Sequence, residues 1–217
     1  KGFNAFFKSI PIWIKEKVWI KSCIEKEIPF KGKILFPNHH MSCAAATFYT
    51  SSFKDSAILT IDGLSEWTTT SFGVGNSNTL TLFSDIKYPH SICLLYSAFV
   101  YYLGFKANFD ENKVMELASY GQPKYKKIIY DNLVDVKDDG SFRMNMKFFD
   151  FMVSDRFTNE KFNNLFNSCP RIPGSPITQF WIDIAASIQL VTEEITLKIA
   201  KHIKTITKME NLCYSGN

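Results

Sequence analysis

His39, Cys43 and Asp62 are the residues whose types and spacing could do chemistry together. His39 and Cys43 stand four positions apart in the run Ile34-Leu-Phe-Pro-Asn-His-His-Met-Ser-Cys-Ala-Ala-Ala-Thr-Phe-Tyr49, whose small residues suit a helix. Helix positions i and i+4 share one face, so an imidazole and a thiol there can address one cation. The run Ala57-Ile-Leu-Thr-Ile-Asp-Gly63 then ends an apolar strand on an acid, and Asp62 can bring a hard oxygen to the same ion. A second reading of the same residues stays open. It is a buried helix whose imidazoles only pack, followed by an aspartate that caps a hairpin turn.

The elements that must position these groups follow from periodicity. Phe3, Phe6, Phe7 and Ile10, then Trp13, Ile14, Val18, Trp19, Cys23 and Ile24, recur at helical spacing with Lys15, Lys17 and Lys21 between them. This predicts a helical lead-in over residues 1–33, built of two short helices that meet at Pro11. Its apolar stripe reads as a face covered by another part of the protein rather than one lying on a membrane. Lys31-Gly32-Lys33 reads as a turn, residues 34–36 as a short strand, and Asn38 as the cap of the His39 helix.

From Ala57 the period becomes that of strands. Residues 57–62, 68–75 and 79–83 predict an antiparallel meander, with turns at 63–66 and 76–78. Helices follow over 89–103, ended by Gly104, over 111–119, ended by Gly121, and over 123–134. Asp138-Asp-Gly140 turns the chain into a strand over 141–146, and residues 148–176 read as loop-rich. A long helix is predicted from Ser175-Pro176, with Ile184, Ile188, Val191, Ile195, Ile199, Ile203 and Ile206 on one stripe and a length of ~45 Å. It feeds a last strand over 211–214. The whole is an α/β arrangement, an antiparallel meander plus helices, in which the acidic turn after the first strand faces a cleft.

The composition excludes several classes. The net charge of +4 comes from lysines scattered along 217 residues, not from a dense basic face, which argues against a nucleic-acid partner. The longest apolar window, residues 92–103, is well short of the roughly twenty residues that span a bilayer. No membrane association is expected. Five cysteines, odd in number and without a C-x-x-C pair, fit reduced thiols and a cytoplasmic location. Lys1 stands where a methionine would begin a complete chain, and both ends look cut, so a piece of a longer protein is expected. Of the other histidines, His40 is expected to pack or bond a backbone carbonyl, His90 to be structural and His202 to lie on the surface.

The segments His39-His-Met-Ser-Cys-Ala-Ala-Ala-Thr-Phe48, Leu59-Thr-Ile-Asp-Gly63, Glu66-Trp-Thr-Thr-Thr-Ser71, Pro89-His-Ser91, Leu94-Leu-Tyr-Ser-Ala-Phe99, Lys113-Val-Met115 and Asp183-Ile-Ala-Ala-Ser-Ile-Gln189 resemble, in order, those of the carbamoyltransferases of antibiotic and nodulation-factor biosynthesis. The resemblance runs from about Gly2 to Gly216. It implies an N-terminal domain of actin and sugar-kinase-like (ASKHA) ATPase fold, similar to the tRNA threonylcarbamoyl-transferring enzymes, with residues 34–217 as part of its core. It also implies a YrdC-like C-terminal domain, absent from this chain, that makes carbamoyl-adenylate from carbamoyl phosphate and ATP. The first domain would then pass the carbamoyl group to a hydroxyl of a small-molecule acceptor, using an iron-type divalent metal.

By the same resemblance the metal ligands fall on His39, the position of Cys43 and Asp62, with a further acid beyond the C-terminus. Nucleotide or carbamoyl-adenylate contacts fall on Gly63, Glu66, Glu111, Lys113, Gly121 and Gly216. Departures from the family pattern put competence in question. The pattern has histidine where Cys43 stands, which shifts preference toward zinc, and glycine where Ser65, Cys93, Asp110, Glu116 and Asn217 stand. Asp110 and Glu116 are expected to add negative charge beside a phosphate. A catalytically lost relative serving as a binding module is therefore the alternative, and an isolated piece of this length is expected to be inactive. An oligomer is compatible with the sequence.

Overall fold

A computed structural model gives the fold and describes residues 2–15, 17–28, 30, 32–63 and 66–216. Two sheets and eight α-helices are present among them. The larger sheet has the order β3-β2-β1-β6. Its members are β1 (Asp55–Ile61), β2 (Thr68–Asn76), β3 (Thr79–Lys87) and β6 (Leu212–Gly216). The first three form the expected antiparallel meander, and β6 adds to β1 in parallel, Ile61 lying opposite Gly216. The sheet is thus mixed, in an α/β fold.

β1 is buried from Ser56 to Ile61, and the strand period of two divides those residues between two layers. Ala57, Leu59 and Ile61 join the main core. Ile58 packs in a second cluster with Ala44 and Phe48 of α3 (His39–Tyr49) and Cys213 of β6. The main core is built mostly by α4 (Ile92–Tyr102), α5 (Glu111–Ala118), α6 (Lys126–Asn132) and α8 (Gln179–Thr207). On α8 the stripe Ile184, Ile188, Val191, Ile195, Ile199 and Ile203 is almost wholly buried, each side chain contributing ~1.5–3 kcal/mol. Ile206, expected on that stripe, is exposed because it falls in the last turn, beyond the packed elements.

Local chemistry sets the boundaries. Asn38 caps α3 by accepting from Met41 N at 3.4 Å, and Ser91 caps α4 by accepting from Leu94 N at 3.2 Å. That second cap starts α4 at Ile92 rather than at Pro89. Gly104 follows α4 at φ +74°, where a Cβ would also strike the Arg171 carbonyl. Val134, expected to end a helix, instead begins β4 (Val134–Val136), which pairs with β5 (Phe142–Met144) around the Asp138-Asp-Gly140 turn. The β-branched valines fit that strand better than a helix end. The loop-rich stretch contains α7 (Glu160–Leu165), capped by Asn159. Phe162 and Phe166, four apart, fill the core against Phe99 and Tyr102, a signal missed in the sequence.

Three further expectations fail. Residues 34–36 form no strand, because Pro37 and the Asn38 cap follow at once and no sheet edge pairs with them. The lead-in does not break at Pro11. α1 (Gly2–Lys15) runs through it, and the chain turns instead at a 3-10 stretch, Lys17–Trp19, before α2 (Ile20–Glu27). α8 starts at Gln179, three residues after Pro176. Lys31 of the expected 31–33 turn, with Leu64 and Ser65 of the 63–66 turn, lies outside the described residues.

Asp183 ties α8 to the loop before α6. Its buried carboxylate accepts from Gln122 N at 3.0 Å, Lys124 Nζ at 2.6 Å and Gln179 Nε2 at 2.9 Å. Burial resists its ionisation, but those donors hold the carboxyl down at about 2. Its stabilisation is therefore complete above the ordinary 3.8 and is lost as the pH falls through about 2. Asp183→Asn should cost about 2 kcal/mol at neutral pH. In denaturant titrations the gap from the parent chain should stay constant between pH 5 and 8 and narrow between pH 4 and 2.

Candidate functional site

The site is assembled by the start of α3 and the end of β1. His39 is the first residue of α3, and Asp62 directly follows β1. His39 Nε2 lies 2.6 Å from Asp62 Oδ2, and Cys43 Sγ lies 3.3 Å from the same nitrogen. Asp62 Oδ1 accepts from Gly63 N at 2.6 Å, so both carboxylate oxygens are held. Ser91 Oγ donates to the Asp62 carbonyl at 3.2 Å, and Asp62 N donates to Thr69 O. The backbone carrying the acid is fixed from two sides.

His40 fixes the helix. It is buried, with Nε2 2.9 Å from Thr68 O and Nδ1 2.6 Å from Thr60 Oγ1. A carbonyl only accepts, so Nε2 carries the hydrogen, and Nδ1 accepts from the Thr60 hydroxyl. Thr60 Oγ1 is in turn 2.7 Å from Ser71 Oγ. This chain of hydrogen bonds joins α3 to β1 and β2 and sets where His39 meets Asp62. Burial, with the field of His39, lowers the His40 pKa, and the Thr68 carbonyl acts against that shift without reversing it. His40 thus bonds a carbonyl, as expected.

His39, Asp62 and Gly63 form part of the wall of a cavity of about 1140 Å³. Cys93, Tyr96 and Ser97 of α4, Glu111 of α5 and the Gln189, Thr192 and Thr196 edge of α8 also line it. The cavity lies beside the C-terminal end of β1, where sheets with parallel strands commonly hold ligands. Two carboxylates, Asp62 and Glu111, face it, and no lysine or arginine is among its described lining residues. Burial, then the fields of Asp62 and Glu111, push the Cys93 thiol up to about 12, so it stays protonated at neutral pH.

The expected site residues divide. His39, Cys43 and Asp62 converge, and Gly63 and Glu111 line the cavity. Glu111 Oε1 accepts from Ser97 Oγ at 2.7 Å and Asn108 N at 2.7 Å. Glu66 instead caps α3, accepting from His39 N at 3.2 Å, where a carboxylate also complements the helix dipole. Lys113 pairs with Asp110 at 2.8 Å, and neither residue lines the cavity. Gly121 lies against α8, where a Cβ would strike the Ile182 carbonyl, and Gly216 lies beside the Ile61 carbonyl. Both allow close backbone packing, and neither lines the cavity.

Glu116 is exposed and does not line the cavity either, so the expected repulsion from Asp110 and Glu116 is not built into its wall. Ser65 and Asn217 lie outside the described residues. His90 is structural: Met144 N donates to its Nδ1 at 3.1 Å. His202, expected at the surface, is half-buried with its ring edge-on to Phe72. Sequence reasoning missed Tyr96, Gln189, Thr192 and Thr196. The signal was the polar i, i+3, i+7 edge of α8 beside its isoleucine stripe.

The donor set bears on a metal. Two donors sharing one ion at ~2.1 Å each are about 3.4 Å apart at a tetrahedral angle. At 2.6 Å His39 and Asp62 are instead bonded directly, and Cys43 approaches the same nitrogen. Among the described residues no group of three or more His, Cys, Asp or Glu side chains is arranged to hold a metal ion. A cation there requires the His39–Asp62 bond to open. No described helix is long and apolar enough to cross a membrane.

Residues 1–217 match the family described as "Carbamoyltransferase N-terminus". An uncharacterised protein of Synechocystis sp. is 44% identical over 100% of the chain, which covers 36% of that relative. Nodulation protein NolNO of Sinorhizobium fredii is 31% identical over 85% of the chain and 25% of its own length. Nodulation protein NolO of Bradyrhizobium diazoefficiens is 30% identical over 82% of the chain and 30% of its own length. The chain thus spans about a third or less of the length of these relatives.

His40 provides a test of the α3 anchor. His40→Gln should cost about 2–4 kcal/mol at pH 8, because Thr60 and the Thr68 carbonyl lose a buried partner. His40 has a depressed pKa, so its contribution is full above the ordinary 6.5 and is lost as the pH falls below it. Urea titrations should show the gap between the two proteins narrowing from pH 7 to pH 5.

Proposed function

The chain belongs to the carbamoyltransferase family, as its N-terminal region, and on that premise we propose that its parent protein is an O-carbamoyltransferase. The reaction moves a carbamoyl group from carbamoyl-adenylate, made from carbamoyl phosphate and ATP, to a hydroxyl of a sugar or antibiotic-like acceptor. The acceptor oxygen bonds to the carbamoyl carbon, the bond from that carbon to the adenylate phosphate oxygen breaks, and AMP leaves with that electron pair. The hydroxyl proton passes to a base. The observation that carries the reading is the match of residues 1–217 to the carbamoyltransferase N-terminus, together with the carboxylates of Asp62 and Glu111 at the wall of one cavity of about 1140 Å³.

Residues of the chain take parts in this scheme. Glu111 has one oxygen bound by Ser97 and Asn108, and its other can accept from the acceptor hydroxyl and orient it. His39, Asp62 and Cys43 are the residues that would hold a divalent ion, iron-type or, given the sulfur of Cys43, zinc. Such an ion, if bound, would supply Lewis acidity toward the carbamoyl group. The order β3-β2-β1-β6, with β6 parallel to β1, supports an actin and sugar-kinase-like domain. Residues 34–217 would be part of its core, with the adenylating YrdC-like domain elsewhere in the parent protein. A cytoplasmic location fits its substrates.

A second reading, a relative that has lost catalysis and binds ligand only, is favoured by the direct His39–Asp62 bond and by Cys43 beside it. Two measurements separate them. The full-length protein with carbamoyl phosphate, ATP and a hydroxyl acceptor should release AMP and carbamoylated product, and Asp62→Asn should lower the rate by ~100-fold or more. The 217-residue chain alone should show none. Cys43→His should raise ferrous-ion affinity by about tenfold, read by equilibrium dialysis. Binding of nucleotide without any turnover in the full-length protein would establish the second reading.

A further inference from the structure

His90 is a half-buried imidazole that the proposed reaction does not use, and the backbone around it decides its hydrogen bonding. Successive amides of a strand point to opposite edges. Asn145 N, just past β5, donates toward β4, to Leu133 O at 2.9 Å, while Met144 N on the other edge donates to His90 Nδ1 at 3.1 Å. An amide N–H cannot accept, so Nδ1 carries a lone pair and the ring is neutral, with its hydrogen on Nε2. The imidazole thus stands in for the carbonyl that a further strand would have offered to β5.

Both residues that fix the Asp62 backbone are tied to His90. Thr69 O accepts from Asp62 N at 2.8 Å, and Thr69 Oγ1 donates to His90 O at 2.6 Å. Ser91, the next residue, donates from Oγ to Asp62 O at 3.2 Å, and its own N lies 3.5 Å from Met144 Sδ. β5, the backbone of residues 90–91 and Asp62 therefore form one connected path. Protonation of Nδ1 would set a new N–H against the Met144 N–H, and Met144 is buried, so its amide would lose its acceptor without gaining water. The one bond of the path that a proton abolishes is the one between β5 and His90.

We propose that His90 is a positioning residue for Asp62, and that the bond it accepts from Met144 N is a latch that a proton opens, loosening the hold of Thr69 and Ser91 on the acid. The inference goes beyond the proposed function and rests on it only for the use made of Asp62. Burial, then the field of Arg143, lower the His90 pKa from the ordinary 6.5, so the latch is closed at neutral pH. Arg143 on β5 is the charged group acting on the ring, while Thr69 of β2 and Ser91 at the start of α4 bring only uncharged groups to this junction. A histidine with a depressed pKa contributes fully above 6.5, and its contribution is lost as the pH falls below that value.

The test is amide hydrogen exchange of the full-length protein at pH 7.5 and pH 5, read by mass spectrometry and corrected for the intrinsic pH dependence of exchange. Protection of Met144 N and of Asp62 N should fall together, by about tenfold or more, at the lower pH. His90→Asn places an amide oxygen where Nδ1 stands and does not titrate, so both amides should keep their protection within about threefold over the same range. Exchange of the imidazole C–H in the parent protein gives the His90 pKa itself, and the loss of protection should have its midpoint there, which tests the latch even where the variant fails to fold. An equal loss of protection in His90→Asn, or a midpoint away from the His90 pKa, would overturn the latch. Constant protection of Asp62 N while Met144 N opens would make His90 purely structural and overturn the positioning role. In carbamoyl-transfer assays the drop in kcat between the two pH values should be shallower in His90→Asn than in the parent protein, and an equal drop would also overturn the positioning role. Absence of carbamoyl transfer alongside the expected exchange behaviour would overturn the proposed function and leave the latch standing.

Discussion

Strand β1 has no solvent face from Ser56 to Ile61, and the rest of the structure follows from that constraint. A strand covered on both sides can carry no charge along its length without a large desolvation cost. After the exposed Asp55 that opens the strand, Asp62 is the next position at which the chain can place a carboxylate, and it does so where the strand leaves the sheet. The two layers that cover β1 supply what meets the acid. α3 brings His39 and Cys43 from one side, while α4 and α8 build the cavity wall on the other. The acid meets its partners at this end of the sheet because burial excludes charge between Ser56 and Ile61.

The polar residues on β1 obey the same rule by pairing internally. Thr60 faces α3 and would be a buried hydroxyl without partners were it not for His40 and Ser71. Satisfying it fixes the rotation of α3, and that rotation decides which of two adjacent histidines reaches Asp62. His40 is held against the sheet by a hydroxyl and a carbonyl, which leaves His39 at the cavity. Adjacent residues on a helix point about 100° apart, so anchoring one imidazole by both nitrogens also aims the other. The doublet is a division of labour between packing and chemistry.

Much of this was legible in the sequence. The i, i+4 spacing of His39 and Cys43 and the acid at the end of an apolar strand brought three residues to one place, because period and burial are local properties of the chain. The meander and the isoleucine stripe of α8 were legible for the same reason. What was not legible depends on partners distant in sequence. Lys113 and Glu66 were expected at a nucleotide site, but Asp110 and the start of α3 are their partners instead. β4 could not be read from residues 134–136, since three residues have no period and only β5 makes them a strand. Pro11 looked like a break because proline removes one helical hydrogen bond, yet the helix carries on through it.

Cys43 shows how the two sides of the site constrain each other. A thiol beside an imidazole can pair with it or share a cation with it, and the choice is set by the distance to Asp62. With the carboxylate 2.6 Å from His39, the pair is closed on itself and the sulfur is a third, weaker contact at the same nitrogen. Gly63 N holds the other carboxylate oxygen, so opening the pair means turning Asp62 about a backbone that Ser91 and Thr69 keep in place. That rotation moves an oxygen, not the strand. The Asp62 side chain can turn without disturbing the sheet, because Ser91 and Thr69 hold its backbone while His39 and Gly63 N hold only its carboxylate oxygens.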